Sequence, residues 1–422
     1  MSTGPNTDLP IVPETAILDE IEESVGLVLW QYFRLIRDWI RASPRDRTNL
    51  APAEVPAWVS AKRKKAAESA PPLAPIFDQF EALLHDDANH VDTDAVASPC
   101  RAVAEWAVGI GANKTAALYA GCAAEGDPRN PSLGILAGKF AREAGMMGKA
   151  EQHFLKAIRY ARQQQRWDEY IRGQLGLGIL YMLTKRDGRA RRHQARAAST
   201  AMREGYEWLA GEAHHDLFQF MTVRGRLKAA AHHARLALEC YPKNNPRLPF
   251  LAADIAFLLL CHRHYNAAVG ILRRFLRIVR KPPQNILGTS MLARALGGSG
   301  HFRAFRRTRN RLMKLIDTPN TFEAAAMWHL AEGERALAKW GDATLHARRA
   351  LDLALSVDDL ETAEFARNTV RKVEGGELPR SEPVEMDRSL GELIEDLVQR
   401  LESWKPTKRG RPRRHPPHGW KA

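Results

Sequence analysis

What this chain of 422 residues lacks narrows its identity before any motif is considered. Cysteine is scarce: Cys100, Cys122, Cys240 and Cys261 lie far apart with no Cys-x-x-Cys pair. That spacing argues against a disulfide framework or a thiolate zinc site and predicts buried thiols in a reducing cytosol. The longest apolar run, Leu251 to Cys261, is interrupted by Asp254 and falls far short of the roughly 20 residues that cross a bilayer. The N-terminus, with Pro5, Pro10 and Pro13 among acidic residues, lacks the basic-then-apolar order of a secretory signal. A soluble cytoplasmic protein is expected. Val, Ile and Thr are thin beside Ala, Leu, Arg and Glu, a balance that disfavours sheets and predicts an all-α class. Heavy use of Ala and Arg also fits a GC-rich bacterial genome.

Catalytic patterns are equally thin. Gly145-Met-Met-Gly-Lys149 is too short for a phosphate loop, has Ala150 in place of the hydroxyl residue, and follows no strand. Gly297-Gly-Ser-Gly300 lacks the strand and second spaced glycine of a nucleophile elbow and suits a hairpin turn. His85 to Asp94 gathers metal-capable side chains, but has neither the glycine of a calcium loop nor a second His-rich partner. The pairs His214-His215, His232-His233 and His262/His264 fall on helical stretches as surface or satisfied interior residues. No catalytic residue, metal or cofactor is expected, and no enzymatic activity.

What is present is a period. Ala116, Ala150, Ala190, Ala230, Ala268, Phe305 and Ala343 are separated by 34, 40, 40, 38, 37 and 38 residues. Seven residues after each stand Ala123, Ala157, Ala197, Ala237, Phe275, Leu312 and Ala350; twelve before stand Ala104, Gly138, Gly178, Phe218, Ala256, Ala293 and Ala331. Both rows are mostly small, as antiparallel helices require where they cross closely. Gly111, Gly145, Gly225 and Gly300 each lie five residues before an anchor, where a first helix must stop and glycine supplies the left-handed cap. Pro128 and Pro242 end second helices twelve residues after an anchor.

This pattern resembles the tetratricopeptide repeat family, best in Gly138/Ala141/Gly145/Ala150/Phe154/Ala157 and Gly178/Tyr181/Ala190/Ala197. The resemblance implies an α-solenoid, a right-handed superhelix of about seven helical hairpins over residues 96–374 including a capping helix, with a scaffold or adaptor function. It departs from the usual period in several units and replaces one anchor alanine by Phe305. In peptide-binding members the first helices line a groove. The matching positions here are Arg101, Lys139, Arg142, His215, Gln219, Arg294, Trp328 and Arg335, over an apolar floor of Leu175, Ile179, Met182, Phe257 and Leu260. Such a groove would clamp an acidic protein or peptide partner.

Outside the array, residues 1–15 read as a disordered start and residues 16–43 as an amphipathic helix, with Leu18, Ile21, Val25, Val28, Tyr32, Leu35 and Trp39 on one face. Residues 44–95 read as linker and short helices, and residues 375–388 as a second linker. Residues 389–404 form a heptad-type helix whose seam of Leu390, Ile394, Leu397 and Leu401 suits homodimerisation or docking on the array. Residues 405–422 form a basic tail too polar to fold alone.

Charge is uneven. The whole chain is +14, but residues 101–380 carry 45 basic against 26 acidic side chains and the tail carries 7 against 0. A basic array favours acidic protein surfaces or nucleic acid. In the tail, Arg409-Gly410-Arg411-Pro412, flanked by Lys408, Arg413 and Arg414, resembles the AT-hook, which implies arginines inserted into an A·T-rich minor groove and a nucleoid-associated location. A generic polyanion-binding or solubilising tail remains the other reading. A second basic stripe, Arg303, Arg307 and Arg311 at a four-residue step, could extend a phosphate track. Three functions thus stand side by side: a scaffold bringing a protein partner to DNA, a pure protein-interaction module with an electrostatic tail, and an RNA-binding helical repeat.

Overall fold

The computed structural model describes residues 15–42, 57–85, 93–316, 322–357, 359–379 and 388–404, and among these the regular structure is entirely helical. The AT-hook-like segment and most of the His85 to Asp94 stretch lie outside the described residues. Four helices precede the array: α1 (Ala16–Glu20), α2 (Glu23–Arg41), α3 (Ala57–Ser69) and α4 (Ala74–His85). Hairpins then pair α5 (Thr93–Gly109) with α6 (Asn113–Gly126), α7 (Pro131–Glu143) with α8 (Met147–Gln163), and α9 (Trp167–Leu183) with α10 (Asp187–Arg203). They continue with α11 (Glu207–Val223) and α12 (Leu227–Cys240), α13 (Leu248–Cys261) and α14 (Tyr265–Ile278), α15 (Gln284–Gly298) and α16 (Phe302–Leu315), and α17 (Glu323–Ala336) and α18 (Trp340–Ser356). The chain closes with α19 (Leu360–Glu374) and α20 (Arg388–Ser403). Two compact units, Met1–Ala213 and His214–Ala422, divide it.

The small-residue period has a direct structural cause. All seven anchors are buried on the second helices, none more than 1 % exposed, and the residues twelve before them, on the first helices, are buried as well. The turn between the helices repeats as faithfully. Five residues before every anchor the backbone is left-handed, at Gly111, Gly145, Gly225 and Gly300 and also at Lys185, Arg263 and Ala338. The following amide closes the cap on the carbonyl five residues back, as Arg186 does to Tyr181 at 2.8 Å and Lys339 to Glu334 at 2.9 Å. Three turns therefore lack the glycine that marks the other four, because the neighbouring helices impose a conformation that costs an L-residue roughly 1 kcal/mol. Ala338→Gly, at φ 56°, is expected to stabilise by about 0.5–1 kcal/mol in chemical denaturation, opposite to the usual effect of glycine.

The N-terminal segment differs from one continuous amphipathic helix. It breaks at Ile21, whose φ of −124° and ψ of 143° are extended, and the break turns Glu20 toward the start of α6. There the Glu20 carboxylate accepts from Lys114 N at 3.0 Å, Thr115 N at 2.8 Å and Thr115 Oγ1 at 2.9 Å. It supplies the cap that Ala112 cannot make, satisfying amides that would otherwise be orphaned. Beyond the break, the α2 face packs Tyr32 against Phe77 and Phe80, while Tyr119 of α6 donates its hydroxyl to Leu29 O at 2.6 Å.

The heptad seam is engaged by its own chain. Leu390, Leu397 and Leu401 are buried, with Leu393 beside them and Ile394 half-buried, as α20 packs on α12, α13 and α14. Arg400 donates to Leu238 O at 2.6 Å, satisfying a carbonyl at the end of α12, and Arg274 meets Glu402 at 2.6 Å. Of the two readings of the seam of Leu390, Ile394, Leu397 and Leu401, docking on the array is the one these contacts match, with the leucines buried against the chain's own helices. The thiols also differ from expectation, for Cys100 and Cys122 are buried whereas Cys240 is half-buried and Cys261 exposed. No described helix is long and apolar enough to cross a membrane.

Candidate partner-binding site

In the unit from His214 onward, first helices pack side by side because glycine permits it. On α15, Gly297 abuts Gly333 of α17 so closely that a Cβ at Gly297 would fall 2.3 Å from the Gly333 carbonyl oxygen. This contact draws together polar side chains that lie far apart in sequence. Arg294, nearly buried, places its guanidinium 4.9 Å above the Trp328 ring, where the ring's negative face stabilises the cation. Trp328 in turn stacks on Phe365 of α19 at 4.7 Å and donates Nε1 to Thr369 Oγ1 at 3.1 Å. Thr369 donates to Glu332 at 2.8 Å, and Arg335 forks onto the two Glu332 oxygens at 3.3 and 2.8 Å. The remaining Arg335 nitrogen reaches Glu377 O at 2.7 Å. Beside this network lies a cavity of about 320 Å³ lined by Arg263, Tyr265, Arg294, Glu332, Arg335 and Lys372.

Electrostatics of the cluster follow from its burial. Desolvation alone would raise the Glu332 carboxyl, but Arg294 and the hydrogen bonds from Arg335 and Thr369 outweigh it and hold the group below the usual carboxylate range. His329, also buried, is pushed well below its ordinary 6.5, first by desolvation and then by the Arg294 charge. Both shifts make acid destabilising. As pH falls from 6.5 the unfolded chain takes up a proton at His329 that the fold refuses, and below 4.5 it takes up another at Glu332, whose folded carboxylate keeps its charge to lower pH. The thermal midpoint should therefore decline as pH drops from 6.5 to 4.5, with a shallower decline in His329→Gln. Equal slopes in the two proteins would contradict this assignment.

The proposed groove residues fall into three groups. Arg294, Trp328 and Arg335 converge in the cluster just described, with Phe257 edge-on to Trp328 at 6.2 Å and Leu260 at the cavity wall. His215 and Gln219 meet at Asp254, their side-chain nitrogens 2.8 and 2.7 Å from the same oxygen. Arg101, Lys139 and Arg142 belong to the other unit and make local contacts: Arg101 with Glu105 at 2.9 Å, Lys139 over Phe140 at 5.6 Å, and Arg142 with Glu143 at 4.0 Å. Of the apolar floor, Leu175 is buried core, while Ile179 and Met182 are half-buried.

The arginine stripe lies on α16, in the sixth hairpin. Arg303, Arg306, Arg307, Arg311 and Lys314 are exposed and have no ion-pair partner among the described residues, and Arg307, Arg311 and Lys314 rim a shallow depression. Arg309 turns inward, 3.1 Å from the fully buried Glu334, which also lies 2.7 Å from His346. The carboxylates Glu332 and Glu334 are what sequence reasoning missed. Glu332 stands three residues before Arg335, a helical pairing distance and the one available clue.

No family model and no curated protein matches the chain. Among solved structures it is similar to the apo form of RapI, at 13% identity over 83% of this chain and 100% of that one, with a TM-score of 0.44. It is also similar to the TPR domain of P58(IPK), at 12% identity over 82% of this chain and 97% of that domain, with a TM-score of 0.23. The fold assignment rests on the chain's own geometry: seven hairpins crossing at buried anchors and closed by seven left-handed caps make this an all-helical array of tetratricopeptide-like repeats.

Proposed function

We propose that the protein is a non-enzymatic scaffold that binds an acidic protein partner through its basic repeat surface and contacts DNA through its C-terminal tail. The observation that carries the first half is the exposed row on α16. Several guanidinium groups along one face, without a carboxylate among the described residues to neutralise them, leave an anion-seeking surface. Arginine forks match carboxylates in pairs, so a partner segment rich in Asp or Glu is the natural complement. Reversing Arg303, Arg307 and Arg311 to glutamate should abolish binding of a poly-glutamate peptide to the purified chain while leaving its thermal midpoint within a few degrees. Undiminished binding would remove α16 from the interface.

The second half rests on Arg409-Gly410-Arg411-Pro412 and its flanking Lys408, Arg413 and Arg414. Glycine lets the backbone lie close to the groove floor, and the narrow groove of A·T tracts concentrates the negative potential that arginine seeks. Deleting residues 405–422 should weaken binding to an A·T-rich duplex and flatten its salt dependence, since each lost phosphate contact lowers the slope of log K against log salt by about 0.9. Affinity and slope unchanged by the deletion would leave the protein-interaction module alone. Single-stranded RNA displacing duplex from the repeat surface would favour the RNA-binding repeat instead.

A further inference from the structure

In the unit formed by Met1–Ala213, a cleft of about 650 Å³ opens between α2, α6, α7 and α8. Its floor is made of small and apolar groups, among them Ala117, Gly121, Cys122 and Met146. Its rim is cationic. Arg37 and Arg41, one turn apart on α2, form one wall; Lys149 and Lys156, with Gln152 and His153 between them, share one face of α8 and form the other. Glu125 is the one carboxylate of the lining and lies 3.7 Å from Arg41; Arg37 also meets Asp38 at 2.8 Å. Neither Lys149 nor Lys156 has an acidic partner among the described residues, so the cleft retains net positive charge.

The geometry points to this cleft as a binding site for a small organic phosphate, its anionic head among Arg37, Arg41, Lys149 and Lys156 and its apolar body on the Ala117–Gly121 floor. Two converging walls of cations suit a doubly charged head better than a single carboxylate. The volume falls within the range of small-ligand pockets, and half-apolar walls with a few placed polar groups are what such sites require. Gly121 keeps the space open: a Cβ there would meet only the His153 ring nitrogen, at 3.9 Å. Burial, then Lys156 and Lys149, push the His153 imidazole down to about 4, so this ring is a neutral hydrogen-bonding group at the cleft wall near pH 7. The site shares no residue with the α16 surface, and its fate is independent of the partner reading.

The test titrates the full chain with adenosine triphosphate, phenyl phosphate and inorganic phosphate by calorimetry. Wild type should bind the phosphate esters saturably at one site and inorganic phosphate more weakly, because the floor then goes unused. Lys149→Gln/Lys156→Gln should weaken ester binding by roughly tenfold or more. Gly121→Leu, whose Cβ has room and whose larger side chain would occupy the floor, should abolish it. Circular dichroism and thermal midpoints confirm that both variants fold, and the lysine variant alters only exposed positions. The proposal is overturned if wild type binds no ester. It also fails if the lysine variant binds as wild type does, or if Gly121→Leu retains binding that the lysines support. That last result, or a duplex oligonucleotide binding where esters do not, would make the cations an outer polyanion contact.

Discussion

Gly297→Ala should destabilise the protein by about 3 kcal/mol, although alanine is the better helix former by roughly 1 kcal/mol. The reason is the identity of what the new methyl meets. Its Cβ would lie 2.3 Å from Gly333 O and 2.7 Å from Gly333 Cα, and backbone cannot swing aside as a side chain does. The helices α15 and α17 would have to separate, loosening the wall that holds Arg294 over Trp328. Gly333→Ala should cost less, since its Cβ meets the Phe305 ring at 3.0 Å and the Ala293 oxygen at 3.1 Å. Gly391→Ala on α20 meets nothing within 4 Å and should stabilise by about 0.5–1 kcal/mol. Chemical denaturation of the three variants checks the ordering, and a gain for Gly297→Ala would refute the backbone crossing.

Phe154→Ala should lose about 3–5 kcal/mol, the range for emptying a buried aromatic site. The ring is 1 % exposed and fills notches made by missing side chains on two first helices. A Cβ added at Gly138 or Gly176 would stand 2.8 and 2.3 Å from it, respectively. Phe154 thus locks α8 against α7 and α9. Gly176→Ala alone should also destabilise, and the double variant Phe154→Ala/Gly176→Ala should be more stable than the sum of the singles by about 1–3 kcal/mol, because the new methyl enters the vacated space. Repeat arrays unfold in segments, so hydrogen exchange across α7 to α9 is a better readout than one global midpoint. Additive losses would mean the notch and the ring do not communicate.

Legibility differed with the range of the interaction. Hairpin spacing could be read because a helix crossing makes a local, repeated demand for small side chains, and Ala150, Ala190 and Ala230 all meet it as buried contacts. The turns at Lys185, Arg263 and Ala338 were invisible, because their left-handed backbone is imposed by the flanking helices without the glycine that would announce it. Register picked out Arg294, Trp328 and Arg335, but not that Glu332 and Thr369 would tie them together, nor that Arg335 would be buried. The cationic cleft was missed for the same reason, since Arg41 and Lys149 are brought to one opening only by packing.

The sequence by itself determined the helical class and the number of hairpins, since periodicity, caps and helix propensity act within one or two turns of chain. Tertiary structure alone decided that Glu20 breaks the first helix to cap α6, that the last helix docks on its own array, and which charges share a cluster. Those outcomes join residues 37 to 162 positions apart, from the Thr369–Glu332 pair to the Arg400–Leu238 bond. Desolvation and hydrogen-bond satisfaction depend on every neighbour present at the contact, which no local pattern encodes.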